Sequence, residues 1–281
     1  MAYFNNKRIM LACAYEAGGS GTTLKGYLDA RGTAAGLFNG YNGTSVEGII
    51  AYNDTENVTS TERMFYNCRN LISVGDLNLS NDTNATYMFN GCSSLVSVGI
   101  RDISNLQSLN NTFIDCSSLT TLPTWVATNL QILSYAFFGC SSLRQINITL
   151  PRALTGISYA FYNCSLLESV PFAYTQNLTD FQGVFYGCAA LKVIPAYDVR
   201  NVRYFNTAFT GCTNLEEIHM TGMKVSFNIS ASTKFTESAL VEILNNLATV
   251  SSATLTMGAT NLAKLTQAEI DIATNKGWTL A

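Results

Sequence analysis

The stretch AFFGCSSLRQINI, residues 136–148, recurs in varied form along most of the chain and always in one register. Its cysteine is the fourth of seven numbered at a constant step of 24: Cys68, Cys92, Cys116, Cys140, Cys164, Cys188 and Cys212. Three residues before each stands a phenylalanine: Phe65, Phe89, Phe113, Phe137, Phe161, Phe185 and Phe209. Three after each stands a leucine (Leu71, Leu95, Leu119, Leu143, Leu167, Leu191, Leu215), and six after comes Val74, Val98, Leu122, Ile146, Val170, Ile194 or Ile218. A fixed period in this range marks a solenoid, in which each coil packs only on its neighbours.

The second half of each coil has its own apolar rows. Fourteen residues after the cysteine are Leu106, Leu130, Leu154, Leu178 and Val202; seventeen after are Leu109, Leu133, Ile157, Phe181 and Phe205. The first coil departs from them, with Asp82 and Ala85. Each coil therefore has two inward-facing sides joined at an F-x-x-C corner. The predicted fold is an α/β solenoid of seven 24-residue coils with helical caps. The predicted divisions are an N-terminal arm and Gly-rich hinge (1–21), an N-terminal cap (22–60), seven repeats (61–228) and a C-terminal cap (229–281).

The runs MFNGCSSLVSVGI and AFFGCSSLRQINI resemble the BspA-type (Treponema-type) leucine-rich repeats, whose unit reads A-F-x-x-C-x-x-L-x-x-I. The resemblance covers all seven repeats. It implies a curved, right-handed leucine-rich-repeat coil with short parallel strands after the C-x-x-L segment. It also implies a role in surface adhesion and ligand binding.

Charged residues make up 12% of the 281 residues and the net charge is −3, without a basic stripe, which argues against nucleic acid as a partner. No apolar run approaches the ~18 residues needed to span a bilayer, so membrane insertion is not expected. The exposed surface is left to Asn, Ser and Thr. The ladder cysteines occupy equivalent positions beside core Phe and Leu, and an odd set cannot pair off completely. They read as buried, reduced thiols packing as small apolar groups. With no C-x-x-C and His219 the single histidine, neither a metal site nor a cofactor is expected. An enzyme needs convergent groups of unlike chemistry. The chain offers no G-x-S-x-G elbow, no phosphate-cradling glycine loop and no matched carboxylate pair, so a non-enzymatic protein is expected.

Residues 1–17, MAYFNNKRIMLACAYEA, allow two readings. Lys7-Arg8 before Ile9–Cys13 could open a signal peptide with Cys13 lipidated, but the apolar core is short for that. The preferred reading is an extended arm, resembling leader segments on tail-associated proteins of phages and prophages, that docks on other virion proteins. Gly18–Gly21 then forms a hinge. TTLKGYLDARG reads as a helix ending at Gly32. LFNGY is a degenerate corner with Tyr41 in the cysteine position, set back from Cys68 by three residues more than the regular step. Thr44 to Glu47 fits a capping box opening a short helix through Ile50. The lead-in Leu37-Phe38, Tyr41, Gly43–Val46, Tyr52, Asp54-Thr55 and Asn57–Thr59 also resembles the phage-type proteins. At the far end ESALVEILNNLATV reads as a helix with Leu240, Ile243, Leu244 and Leu247 on one face. SATLTMG reads as a strand, Thr266 and Glu269 as a capping box opening a helix, and Trp278–Leu280 as a last strand.

Two sets of residues are candidates for binding. If side chains alternate along the strand, positions five, seven and nine after the cysteine point outward, which exposes Trp125, Tyr197, Arg101, His219, Asn147 and Glu217. At the corner, Tyr87, Tyr135 and Tyr159 form one row and Tyr66, Phe138, Tyr162 and Tyr186 another. A helical corner would bring Tyr135 to Phe138 and Tyr159 to Tyr162. The rings read either as a platform for sugars or a partner protein, or as neighbours stacking to cover the core edge. The expectation is a recognition module binding a cell-surface glycan or protein. Its predicted setting is the virion tail of a bacterial virus or prophage. The alternatives are a BspA-type cell-surface adhesin, extracellular or on the cell surface, and a structural spacer or decoration protein.

Overall fold

The computed structural model describes residues 24–47, 49–100, 102–170 and 176–281. The arm and hinge, Cys13 and Arg101 lie outside the described residues.

The period of 24 becomes a stack of coils joined by short parallel pairings. β1 (Ser73–Val74) pairs with β2 (Ser97–Val98), β3 (Trp125–Val126) with β4 (Ile148–Thr149), and β5 (Val193–Ile194) with β6 (Glu217–Ile218). A second line of single bridges runs Ser60, Asn84, Ser108, Ile132, Gly156 on the other side of the corner. These strands are two residues long, and beside β3 and β5 the prolines Pro123 and Pro195 each remove a ladder donor. The molecule is a repeat solenoid whose described strands form small separate sheets, not one closed sheet.

The corner is not helical. It is a run of turns in which alternate N–H groups bond within the coil and to the next coil. Met64 N donates to Thr61 O at 3.0 Å while Phe65 N donates to Met88 O of the following coil at 2.8 Å. Two residues per corner take the left-handed conformation, five and one before the cysteine. The first of these rows includes Tyr87, Tyr135 and Tyr159, with φ of 58°, 56° and 56°.

The phenylalanine ladder is continuous from the cap. Phe38, Phe65, Phe89 and Phe113 stack at ring separations of 5.1, 5.2 and 5.3 Å, and Phe137, Phe161 and Phe185 carry the row on at 5.7 Å per step. Phe38 in this stack shows that LFNGY is a true, displaced corner, with the Tyr41 hydroxyl bonded to Ser45 O. Each ladder thiol is buried, free, and bonded to the phenylalanine carbonyl of the preceding coil, as in Cys92 to Phe65 O at 3.0 Å and Cys212 to Phe185 O at 2.9 Å.

The caps close both ends. α1 (Leu24–Arg31) buries Tyr27 and Leu28 and ends at Gly32, whose φ of 65° and bond to Leu28 O terminate the helix. Thr44 to Glu47 does not open a helix: Ser45 bridges to Ser73, and its hydroxyl accepts Glu47 N in a tight turn. A 3-10 turn follows at Tyr52–Thr55. At the other end α2 (Glu237–Asn246) buries Leu240, Ile243 and Leu244. β7 (Phe227–Asn228), β8 (Ala253–Thr256) and β9 (Trp278–Leu280) make a parallel three-stranded sheet, and α3 (Ala259–Leu262) follows β8. α4 (Gln267–Thr274) starts on the Thr266–Glu269 capping box.

Candidate functional site

The alternation predicted for the strand face holds for only part of its length. Asn147 and Glu217 are exposed, and His219 is half-buried. Trp125 and Tyr197 are corrections: each is 1% exposed, inside the core. The Trp125 indole donates to Ile100 O at 2.7 Å and its ring lies 6.2 Å from Phe113. Tyr197 packs 6.1 Å from Phe181, and burial pushes its phenol pKa well up. The physical reason is a one-residue slide. In coils 2, 4 and 7 the buried slot is filled eight residues after the cysteine, by Ile100, Ile148 and Met220; in coils 1, 3 and 6 it is filled nine after, by Leu77, Trp125 and Tyr197. The pairing of Trp125 with Ile148, one residue short of the full period, records the slide directly. In coils 3 and 6 a proline, Pro123 or Pro195, stands just before the extra residue.

What remains exposed on the strand face is largely self-neutralised. Arg144 pairs with Glu168 at 2.8 Å and Lys192 with Glu216 at 3.5 Å across adjacent coils. His219 is held between Glu242 Oε1 at 2.7 Å and Glu217 Oε2 at 2.8 Å. The Glu242 bond, with Glu217 adding to it, raises the imidazole pKa.

The corner face is different. All seven candidate rings are half-buried. Phe138, Tyr162 and Tyr186 stack at 4.6 and 4.3 Å with planes 1° and 4° apart. Tyr135 stacks on Tyr159 at 4.8 Å, and each row meets the other at 6.0 Å, Tyr135 with Phe138 and Tyr159 with Tyr162. Five rings thus form one ridge across coils 4 to 6. Tyr66 and Tyr87 make a separate edge-on pair at 6.3 Å. Burial, and secondarily the neighbouring Tyr135 and Asp180, push the Tyr159 phenol pKa up. Gly183 continues Tyr159's row, and a side chain there would collide with the Tyr159 ring. The Tyr135–Phe138 and Tyr159–Tyr162 contacts are those expected from a spacing of three, although they arise from turns rather than from a helix.

Sequence reasoning missed an asparagine ladder. Asn81, Asn105, Asn129, Asn177 and Asn201 each stand immediately before the apolar row that holds Leu106 and Leu130. Their Nδ2 groups donate to the preceding coil, at Glu56 O, Ser80 O, Ser104 O, Arg152 O and Gln176 O. The recurrence was visible in the period but lay in a polar row. Among the described residues no cluster of three His, Cys, Asp or Glu side chains is placed to hold a metal ion, and no helix is long and apolar enough to cross a membrane.

A stack of equal coils with one thiol per corner defines a leucine-rich-repeat solenoid. The model of the BspA type leucine-rich repeat region (6 copies) matches residues 110–237. A second, described as a Mycoplasma protein of unknown function, matches residues 34–149. Across residues 110–237 the chain carries leucine-rich repeats of the BspA type. No curated protein matches it in sequence. Twenty chains of solved structures match. One is a plant peptide hormone receptor, RGFR1, in complex with RGF2, at 14% identity and a TM-score of 0.23, covering 79% of this chain. The chain spans 42% of that receptor's length.

Proposed function

We propose that this chain is a non-enzymatic recognition module that adheres to a cell-surface ligand through the aromatic ridge at its corner. The observation that carries the reading is that ridge: five contiguous half-buried rings on the corner face. Three of the corner tyrosines also occupy left-handed backbone positions. That conformation costs a non-glycine residue of order 1–2 kcal/mol, and Gly183 fills the same row without the cost. Bulky rings kept there against the backbone preference support a role beyond folding.

Within this reading a BspA-type adhesin, extracellular or on the cell surface, takes precedence over a tail-associated phage or prophage protein. The repeat family supports the first. The second rests on the resemblance of residues 1–17 and of the lead-in at 37–59. The proposed divisions remain 1–21, 22–60, 61–228 and 229–281, wound as a right-handed coil in keeping with the strong preference of parallel crossovers.

The test is binding of purified protein to whole cells and to their isolated surface proteins and polysaccharides, beside a Tyr162→Ala/Tyr186→Ala variant. Saturable binding lost in the variant, with the thermal melt retained, is the expected result. Undiminished binding would remove the ridge as the site.

A further inference from the structure

The corner turns of coils 3 to 6 are residues 107–115, 131–139, 155–163 and 179–187. They contain two carboxylates, Asp115 and Asp180, and no lysine or arginine. Asp115 belongs to the ridge's leading edge: its N–H bonds Phe138 O at 2.8 Å, and its carboxylate lies over Gly139. Asp180 lies at the trailing edge near Tyr159, with one oxygen accepting Gln182 N at 2.8 Å. Among the described residues neither carboxylate has an ion-pair partner, whereas the charged residues of the strand face are matched in pairs.

The ridge is poorly shaped for sugar stacking. Both faces of Tyr162 are closed by Phe138 and Tyr186. The stack turns ring edges and phenol oxygens outward. Where a row begins, Tyr135 is stacked on one side by Tyr159, and no ring among the described residues stacks on the other.

The same row shows what such a face accepts. Two coils earlier, Arg63 of coil 1 lays its guanidinium 4.9 Å from the centre of the Tyr87 ring, and that guanidinium pairs with Glu62 at 2.6 Å. Arg63, Tyr87 and Tyr135 are equivalent positions, each five residues before a cysteine. At coil 3 the place of the arginine is taken by Asn111. Coils 3 and 4 thus repeat the aromatic ring of coils 1 and 2 without the cation; Asn110 stands at the position of Glu62, and the carboxylate of coil 3 is Asp115, at the position of Asn67 in coil 1.

Resting on the corner-face reading, we infer that the ridge binds a basic segment of a protein partner, with an arginine side chain over Tyr135 beside Asp115 and further cationic side chains reaching the phenol oxygens and Asp180. A guanidinium satisfies the ring face and the carboxylate together, which an ammonium does less well.

The experiment titrates the whole chain with a labelled peptide of alternating arginine and serine, read by fluorescence anisotropy at low salt, beside matched lysine and glutamate peptides and a neutral glucan. Asp115→Asn/Asp180→Asn removes the charge without changing shape. Tyr135→Gly removes the ring at a position whose φ suits glycine, so the coil keeps its fold, as a melt verifies. The arginine peptide should bind saturably, more tightly than lysine, and weaken with salt. Tyr135→Gly should lower its affinity about five-fold, and the double Asn variant about ten-fold. Absence of binding, equal binding of the glutamate peptide, or binding unchanged in both variants would overturn the inference. So would glucan binding that Tyr135→Gly abolishes, which would assign the ridge to a glycan. If the peptide fails while Tyr162→Ala/Tyr186→Ala still abolishes cell binding, the partner assignment falls and the corner site stands; if cell binding also survives, both fall.

Discussion

Cys140 Sγ donates to the carbonyl oxygen of Phe113, one coil earlier, at 3.1 Å. That oxygen also accepts the Cys116 N–H of its own coil at 3.1 Å. The thiol therefore serves as a weak donor to a second lone pair and as a small apolar filler, which explains why cysteine rather than alanine or serine recurs once in every coil. Cys140→Ala leaves the carbonyl satisfied and loses mainly packing. Urea unfolding should show a loss of about 1–2 kcal/mol, and Cys140→Val should lose a similar amount through overpacking.

The ladder should also be chemically silent. Burial pushes the thiols of Cys140, Cys164 and Cys188 well up, and that of Cys212 to about 12. Cys68, the first of the ladder, is the exception: the neighbouring Cys92 thiol, with the backbone of Tyr41 and Gly40 adding to it, lowers its pKa. Alkylation of the native protein at pH 8, followed by mass mapping, should leave the ladder unmodified. At intermediate urea Cys68 should be the first of the seven to react. Modification of Cys140 before Cys68 would contradict this order.

Asp82 is a buried carboxyl where four later coils carry leucine, and desolvation pushes its pKa up to about 6. It bonds the Thr61 hydroxyl, which also lies 3.3 Å from Met88 Sδ. A protonated Asp82 can donate to Thr61, whose own hydrogen then turns to the sulfur. Because the folded pKa lies above the unfolded value, the stabilising contribution is full below about pH 4 and lost as the pH rises through 6. The linkage is of order 3 kcal/mol. Asp82→Asn should flatten stability between pH 4 and 7 and raise it at pH 7.5, measured by urea midpoints. An unchanged pH profile would show that Asp82 does not titrate in this range.

Much of this architecture was legible because the period repeats the same physical demand seven times. The rows of Phe65, Cys68 and Leu71 and their equivalents each face one environment, so spacing alone assigned them to the core. The displaced corner at Phe38 was legible for the same reason. Trp125 and Tyr197 were not, because a strand of two residues cannot enforce alternation, and a proline before the slot slides the chain by one residue. The helix expected at Thr44–Ile50 failed because Ser45 pairs with Ser73 and its hydroxyl takes the N–H that a helix would use. The ridge was legible as two rows. Its flanking charge was not, since Asp115 and Asp180 are brought to opposite edges only by stacking.

Trp125 illustrates a trap for mutagenesis. Its ring is buried and its indole bonds Ile100 O, so Trp125→Ala should cost about 3–5 kcal/mol by creating a cavity and orphaning that carbonyl. Any binding it loses would report unfolding. Val126, 57% exposed beside it, is the control, and Val126→Ala should stay within about 0.5 kcal/mol. Thermal melts of the two variants separate the cases. An unaltered melt for Trp125→Ala would mean that the indole is not part of the core.

His219 couples coil 7 to the C-terminal cap. Its Nδ1 faces Glu242 on α2 and its Nε2 faces Glu217 on β6, and both carboxylates favour the imidazolium. The folded pKa is raised, so the contribution to stability is fully present below the unfolded value near 6.5 and disappears as the pH rises through the folded value. The stretch from β6 into α2 should therefore loosen on the alkaline side. As the single histidine of the chain, its ring proton can be followed by NMR without assignment. Glu242→Gln should move the midpoint down toward 6.5, and Glu217→Gln should move it less, because the Glu242 bond is the larger influence. Amide exchange in α2 should quicken above the midpoint in the wild type and lose that pH step in Glu242→Gln. A midpoint at or below 6.5 in the wild type would show that the two carboxylates do not hold the ring charged.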